Sequence, residues 1–171
     1  IIYILEKRED EFVISLNERG VILEYCKIRN KELAQLYFAI FVKRGVTDFE
    51  FPLMTLINDI EDIEILKEYL TREQLDNFYS VDSRTKGKIN FSSELNKIYY
   101  IDASDNEYNL FSLPNRIFQT FYVSIVKLKT MKEWLIQLND ANGLGDQYEA
   151  TLLGYSSEGL SRSDLFVIKE K

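Results

Sequence analysis

The sequence predicts an α+β fold with mainly antiparallel sheet and about four to five helices. Residues with the two-residue alternation of strands occupy 12–28 and return at 97–111. Between and after them lie segments in which apolar residues recur every three or four positions. The order is therefore strands, helices, strands, helix and strands, which differs from the regular alternation of a parallel α/β sheet.

The first strands are predicted over residues 1–28. Apolar residues occupy alternate positions from Phe12 to Leu16, the period of a half-buried strand. Residues 17–20 (Asn-Glu-Arg-Gly) are typical of a turn, and the strand pattern then resumes through residue 28. We therefore expect a hairpin over 12–28.

A helix is predicted over residues 31–43. Asn30 can cap its first turn, and Glu32 suits the positive end of the helix dipole. Gly45 is expected to end the helix. The apolar stripe that would face the core consists of Leu33, Leu36, Tyr37, Ile40 and Phe41.

The next segment is predicted to be mostly helical. A short strand over 48–51 precedes Pro52, which fits the first turn of a helix. Apolar residues then keep a helical spacing across 53–70, with Leu56 among the inward ones. Residues 71–74 have the form of a capping box, so a second helix is expected to begin near Thr71.

Residues 80–96 are mostly polar, which predicts an exposed loop or a linker near 80–88. This segment leaves two organisations open. The first is a single domain over 1–171, which the length favours. The second is two closely packed halves, 1–80 and 88–171, joined by the polar segment.

The remaining elements repeat the strand and helix patterns. Residues 97–111 predict a second hairpin around a turn at 102–106. Residues 115–129 are ambiguous, because their spacing is helical but several are β-branched or aromatic; the spacing favours a helix. A capping box at 130–133 predicts a further helix to about Asn139. Closing strands are expected at 148–153 and 165–168.

Composition excludes several kinds of site. The chain has no histidine, so it forms neither a Ser-His-Asp or Cys-His catalytic group nor a histidine-ligated metal site. Its one cysteine, Cys26, can form neither an internal disulfide nor a cysteine zinc site. No pair of carboxylates stands out for acid-base chemistry. We therefore predict no catalytic residue, no metal site and no cofactor.

Four motifs contain residue types found in sites, but local structure explains them better. Residues 102–107 are rich in oxygen ligands yet lack the glycine and closing glutamate of an EF-hand loop, so we expect a hairpin turn. The G-x-G at 142–146 follows a helix, which indicates a helix end rather than a phosphate loop. Residues 161–164 predict a polar turn, and Cys26 predicts a small buried apolar side chain.

Charge is distributed unevenly along the chain. Residues 48–76 contain nine acidic and two basic side chains, a net charge of −7, which equals that of the whole protein. We predict an acidic helical face that docks onto a basic partner, with an ordinary solvated face as the alternative. The residues predicted to bind the partner are Asp59, Glu61, Asp62, Glu64 and Glu68.

A smaller basic segment lies at 114–132, with three aromatic residues between its first base and the others. Its bases are Arg116, Lys127, Lys129 and Lys132, and its aromatics are Phe118, Phe121 and Tyr122. This pattern is compatible with a nucleic-acid contact. The net acidic charge disfavours direct nucleic-acid binding, and a solvated edge is the alternative. Pairing of this basic segment with the acidic residues of 48–76 in a second copy would give a homodimer.

These observations favour a non-catalytic protein-binding module: an inhibitor, an immunity-type protein or an accessory subunit. Its partner would be a protein with a basic surface, such as a nuclease or another nucleic-acid-binding protein. The alternatives are an enzyme using carboxylate, tyrosine or arginine chemistry and a nucleic-acid-associated factor acting through residues 114–132. The chain has no initiator methionine and is compatible with a piece of a longer protein whose remainder carries the catalytic motif.

No membrane association is predicted. No segment approaches the roughly 20 continuous apolar residues of a membrane-spanning helix. The apolar start at 1–5 is followed at once by charged residues rather than by a cleavage site. A lone cysteine fits a reducing compartment, so we expect the protein to be cytoplasmic.

Overall fold

A three-stranded and a four-stranded sheet, together with four α-helices, make up the described part of the chain. The computed structural model describes residues 1–139 together with Ala150, Leu153 and Tyr155. The α+β fold that the sequence predicts is confirmed. Within the described residues no helix combines the length and apolar character needed to cross a membrane.

The first sheet is an antiparallel meander. Its strands are β1 (Ile2–Arg8), β2 (Glu11–Glu18) and β3 (Val21–Ile28), in that spatial order. The predicted hairpin is present, but β2 is buried on both faces rather than half-buried: Val13 and Ser15 are each 1% exposed. Arg8 contributes to the burial of Val13. It forms ion pairs with Glu6 and Glu24, which lie on the same face of the sheet as Val13.

Helix α1 (Lys31–Val46) packs on the other face of this sheet. Its predicted cap is confirmed, because the backbone N–H of Leu33 donates to Asn30 Oδ1 at 2.9 Å. Ala34, Tyr37 and Ile40 are fully buried. Leu33 is only partly buried and packs at the edge of the core.

The predicted end of α1 at Gly45 is wrong, because the helix continues to Val46. A Cβ atom at position 45 would lie 1.7 Å from Tyr3 Oη, so glycine lets the tyrosine ring of β1 approach the helix backbone. The same ring packs edge-on against Phe41, with centroids 5.5 Å apart. Gly45 therefore serves a close approach between helix and sheet, not helix termination.

Replacing Gly45 by alanine should lower the free energy of unfolding by about 2 kcal/mol, because overpacking at this contact outweighs the higher helix propensity of alanine. Urea denaturation measures the change. The substitution Tyr3→Leu shortens the opposing side chain, so Gly45→Ala should cost much less in that background. Equal costs in both backgrounds would contradict the proposed clash.

The helical segment after α1 is interrupted. Residues 48–51 form no strand, which contradicts that prediction. The predicted continuous helix across 53–70 is also wrong, since it divides into α2 (Met54–Ile57) and α3 (Ile63–Arg72). Asp62 is the N-cap of α3, because its Oδ1 accepts a hydrogen bond from the Glu64 N–H at 2.8 Å.

The capping box predicted at Thr71 starts no helix. Arg72 is the last residue of α3, and Gln74 has a φ of 58°, in the left-handed region. The Thr71 hydroxyl donates instead to Asp76 Oδ1 at 2.7 Å. Residues 71–74 therefore lie at the end of a helix, and a short 3₁₀ turn, Asp76–Phe78, follows.

The second sheet has four strands in sequence order: β4 (Tyr79–Val81), β5 (Ile89–Ser92), β6 (Lys97–Ile101) and β7 (Glu107–Leu110). The predicted hairpin is confirmed as β6 and β7. Strands β4 and β5 were not predicted; they pair in parallel and flank the polar segment. Their short length, three and four residues, leaves little alternation for sequence analysis to detect.

Helix α4 (Ile117–Asn139) is the longest element, and a 3₁₀ turn at Pro114–Arg116 precedes it. The helix predicted for 115–129 is confirmed, and residues 130–139 are helical as predicted, but the helix start predicted at residue 130 is wrong. Thr130 lies inside one continuous helix, where its hydroxyl donates to the Val126 carbonyl at 3.0 Å. Helix α4 contacts α1, α2, α3, β5 and β6, so it lies at the centre of the core.

The C-terminal predictions fall mostly outside the described residues. Ala150 and Leu153 are helical, so the strand predicted at 148–153 is wrong at these two positions. The predicted turns at 142–146 and 161–164 and the strand at 165–168 lie outside the described residues.

Candidate partner-binding surface

The predicted acidic residues lie where α2 leads into α3. Asp59 and Glu61 are in the connection, Asp62 caps α3, and Glu64 and Glu68 are on its first and second turns. All five side chains are exposed. Residues 59–68, named here the acidic segment, therefore form a connection and a helix start rather than one continuous helical face.

Part of the charge of the acidic segment is paired locally. Lys67 Nζ lies 2.9 Å from Glu64 Oε2, and this hydrogen bond raises the pKa of Lys67. Arg72 lies 4.0 Å from a carboxylate oxygen of Glu68. Such exposed pairs are weak and leave both carboxylates accessible to water. Among the described residues the segment remains strongly acidic.

Two exposed apolar side chains accompany these carboxylates. Leu56 on α2 is 49% exposed and Ile65 on α3 is 47% exposed. Glu68 lies three residues after Ile65, so both project from the same side of the helix. Leu66 and Leu70 are fully buried on its other side and anchor α3 to the core. The surface therefore combines apolar and acidic groups on a well-packed helix.

The sequence contained a signal for one of these apolar residues. Ile65 falls outside the helical stripe formed by Leu66 and Leu70, so its exposure follows from spacing alone. Leu56 was predicted to face inward, and this is wrong, since its side chain is half-exposed. Around α2, the neighbouring Leu53 and Ile57 are the residues buried in the core.

The predicted basic residues do not share one surface. Arg116 is exposed in the 3₁₀ turn before α4, whereas the three lysines lie further along that helix. At 3.6 residues per turn, Lys127 and Lys129 project about 200° apart. Lys129 lies 3.7 Å from Glu133, and Lys132 donates to the carbonyl of Gly87 at 2.8 Å.

The aromatic residues near these bases are not available for stacking on nucleic-acid bases. Phe121 and Tyr122 are fully buried, and Tyr122 Oη accepts a hydrogen bond from the Leu53 N–H at 3.2 Å. Phe118 packs edge-on against Phe91 with ring centroids 5.7 Å apart. A stacking platform needs exposed ring faces, and these rings belong to the core.

The oxygen-rich turn after β6 is a hairpin turn, as predicted. Asp102 accepts hydrogen bonds from the N–H of Asn106 at 2.8 Å and from Tyr108 Oη at 2.8 Å. Burial would raise the pKa of Asp102, but these bonds outweigh it and lower the pKa. The pKa of Tyr108 is raised to about 12, mainly by burial and secondly by its hydrogen bond to Asp102. The carboxylate stabilises the turn.

Cys26 is partly buried in β3 and packs against the core. Burial raises the pKa of its thiol to about 12. The thiol is therefore protonated at neutral pH and is a poor nucleophile. Within the described part of the chain, no group of three or more acidic or cysteine side chains is arranged to hold a metal ion.

Comparison with known proteins returned no match. No family model, no curated protein and no solved structure matches this chain.

Proposed function

We propose that this protein is a non-catalytic binding module that docks onto a partner protein through the acidic segment. The observation that carries the proposal is the exposure of all five carboxylates within a ten-residue segment that also contains half-exposed Ile65, with half-exposed Leu56 three residues before it. Protein-binding surfaces commonly combine apolar groups that lose water on docking with a charged rim. A helix anchored by buried leucines presents such groups with little loss of entropy on binding.

The charge of the acidic segment defines the partner's chemistry. A basic protein surface is attracted over several ångströms, which speeds association and makes its rate sensitive to salt. Nucleases and other nucleic-acid-binding proteins carry such surfaces, since they neutralise phosphates. An inhibitor, an immunity-type protein or an accessory subunit would fit this role. We place it in the cytoplasm, where the lone Cys26 would remain a thiol.

Removing the charge of the acidic segment should weaken binding at least about tenfold at low salt and flatten its salt dependence. The variant combines Glu61→Gln, Asp62→Asn, Glu64→Gln and Glu68→Gln. Asparagine is chosen at position 62 because its side-chain oxygen still caps α3. The partner is first isolated as a stoichiometric complex from host lysate, and affinity is then measured with purified proteins at several salt concentrations.

A charge-matched control separates local docking from a change in net charge. It combines substitutions at four exposed acids far along the chain from the segment: Glu9→Gln, Asp10→Asn, Glu32→Gln and Glu94→Gln. This control should bind nearly as well as the unmodified protein. Equal weakening by both variants would contradict docking through the acidic segment, as would a purified chain that elutes with no partner.

Ile65→Gln tests the apolar part of the same surface. It should weaken binding by a similar factor at low and high salt, because it removes apolar contact and no charge. A variant that binds as tightly as the unmodified protein would exclude Ile65 from the interface.

A further inference from the structure

Within the described residues the two sheets have four edge strands, β1 and β3 in the first sheet and β4 and β7 in the second. The outer side of an edge strand carries backbone N–H and C=O groups that no neighbouring strand pairs, so it can add a strand from another chain. Proteins protect such edges with short strands, bulges or charged side chains. The four edges of this protein differ in how far they are protected.

Three of the four edges carry protective features. Strands β4 and β7 have only three and four residues. Strand β3 is longer, but its pairing with β2 contains a bulge at Tyr25, which has no residue opposite it in β2. Strand β3 also carries the charged side chains of Glu24 and Lys27. These features disfavour the addition of a regular strand at β3, β4 or β7.

Strand β1 lacks this protection at its N-terminal end. It has seven residues, and each of them is paired in register with β2 without a bulge. Its charged residues, Glu6, Lys7 and Arg8, all lie at the C-terminal end of the strand. The N-terminal end is apolar and open to solvent, with Ile1 63% and Ile2 62% exposed. The strand therefore offers a regular, uncharged edge that can pair with another strand.

We propose that the β1 strands of two copies of this chain pair antiparallel and join their first sheets into one six-stranded sheet. A two-fold axis perpendicular to the sheet relates the two strands, so the same residues serve both copies. With this axis at Tyr3, Ile1 lies opposite Leu5, and Ile2 lies opposite Ile4. The charged residues of β1 then lie outside the paired stretch. This interface uses no residue of the acidic segment and is independent of the proposed docking surface.

The charges of β1 select this register. Residues directly opposite each other in a sheet share a face, so the two-fold axis must pass beside a residue rather than between two residues. An axis at Leu5 would place Ile4 opposite Glu6, and an axis at Lys7 would place two like charges opposite each other, which is destabilising. The axis at Tyr3 gives the longest paired stretch that contains no charged residue.

Sedimentation velocity over a range of protein concentrations tests for the dimer. One pair of edge strands forms a small interface, so we expect a weak, reversible dimer that is half-formed at roughly 10–200 μM. The measured mass should rise from 20.2 kDa toward twice that value and no further, because pairing about a two-fold axis is closed. A chain that stays monomeric up to about 500 μM would overturn the proposal.

A pair of matched variants locates the interface. Ile2 on β1 and Ile22 on β3 both lie opposite Asn17, on the same face of the sheet, and are 62% and 55% exposed. Ile2→Lys should raise the dimer dissociation constant at least about tenfold, because it places a charge opposite Ile4 of the other copy. Ile22→Lys adds the same charge at the other edge and should leave this constant unchanged. Circular dichroism confirms that both variants fold. Equal weakening by the two variants would indicate face-to-face packing of the sheets and overturn pairing through β1.

Spin labels measure the geometry of the dimer. The label is attached to Ile2→Cys or to Ile22→Cys in a Cys26→Ala background, which removes the chain's own thiol. In the proposed register the two Cα atoms at position 2 lie about 8 Å apart, whereas those at position 22 are separated by five strand spacings, about 24 Å or more. The spectrum should therefore broaden on dimerisation for the label at position 2 only. Broadening at position 22, or none at position 2, would overturn the proposal.

Discussion

Replacing Phe121 by alanine is expected to lower the free energy of unfolding by about 3–5 kcal/mol. Phe121 is fully buried in the second turn of α4. Its ring centroid lies 5.8 Å from that of Tyr79 and 5.7 Å from that of Phe91, so it joins the helix to two strands of the second sheet. Alanine would leave a cavity that these rigid rings cannot close.

The same variant tests whether the chain unfolds as one unit. Trp134 emission reports on the contact of α4 with Phe49 and Lys43, on the side of the first sheet and α1. Phe121 packs against the second sheet. If α4 couples both sides, far-UV circular dichroism and Trp134 emission should shift together to one lower midpoint. Separate transitions would indicate the two-halves organisation instead.

Phe111→Ala is the matched control for this experiment. The side chain of Phe111 is 60% exposed just after β7, so the same chemical change should alter stability by no more than about 0.5 kcal/mol. A loss as large as that of Phe121→Ala would mean that the measured effect does not come from core packing.

Short sequence motifs correctly predicted the features that depend on hydrogen bonds between residues close in sequence. The cap at Asn30 and the turn at Asp102 each depend on residues within a few positions, and both are present. Capping boxes were less informative, because the same residue types also occur within helices and at their ends. Thr130 bonds back to Val126 inside α4, and Thr71 closes α3. Burial of the surrounding apolar residues decides between these outcomes.

The candidate surface features also differ in whether they could be predicted from short stretches of sequence. The acidic segment is contiguous in sequence, so its charge could be read directly and its exposure expected. A small cavity between the C-terminal end of α1 and the middle of α4 could not be predicted, because it requires the packing of these two helices. Arg44 and Lys127 both line it, although they are far apart in sequence.

Asn90→Ala is expected to lower the free energy of unfolding by about 3 kcal/mol. Asn90 is fully buried in β5, where it fastens the preceding polar loop. Its Oδ1 accepts from the Thr85 N–H at 2.8 Å, and its Nδ2 donates to the carbonyls of Thr85 at 3.0 Å and Lys88 at 2.9 Å. Alanine would leave these backbone groups without their partner.

Asn90→Asp separates the roles of the two ends of the amide. A carboxylate keeps the acceptor but loses both donated bonds, and its burial raises its folded pKa above the unfolded value. The protonated form is therefore favoured in the folded state, so this variant should lose stability as pH rises above about 4. Urea denaturation between pH 4 and 8 measures this slope. A pH-independent loss would contradict the burial of this side chain.

Asn109→Ala is the control, because Asn109 is exposed on β7 and should change stability by no more than about 0.5 kcal/mol. If Asn90→Ala cost no more than this control, the polar segment would behave as a loosely held linker. The opposite is expected, since Lys132 on α4 also donates to the carbonyl of Gly87 in the same loop. Asn90 in β5 and Lys132 in α4 would then both hold the polar loop in place. The loop would therefore contribute to the free energy of unfolding of the whole protein.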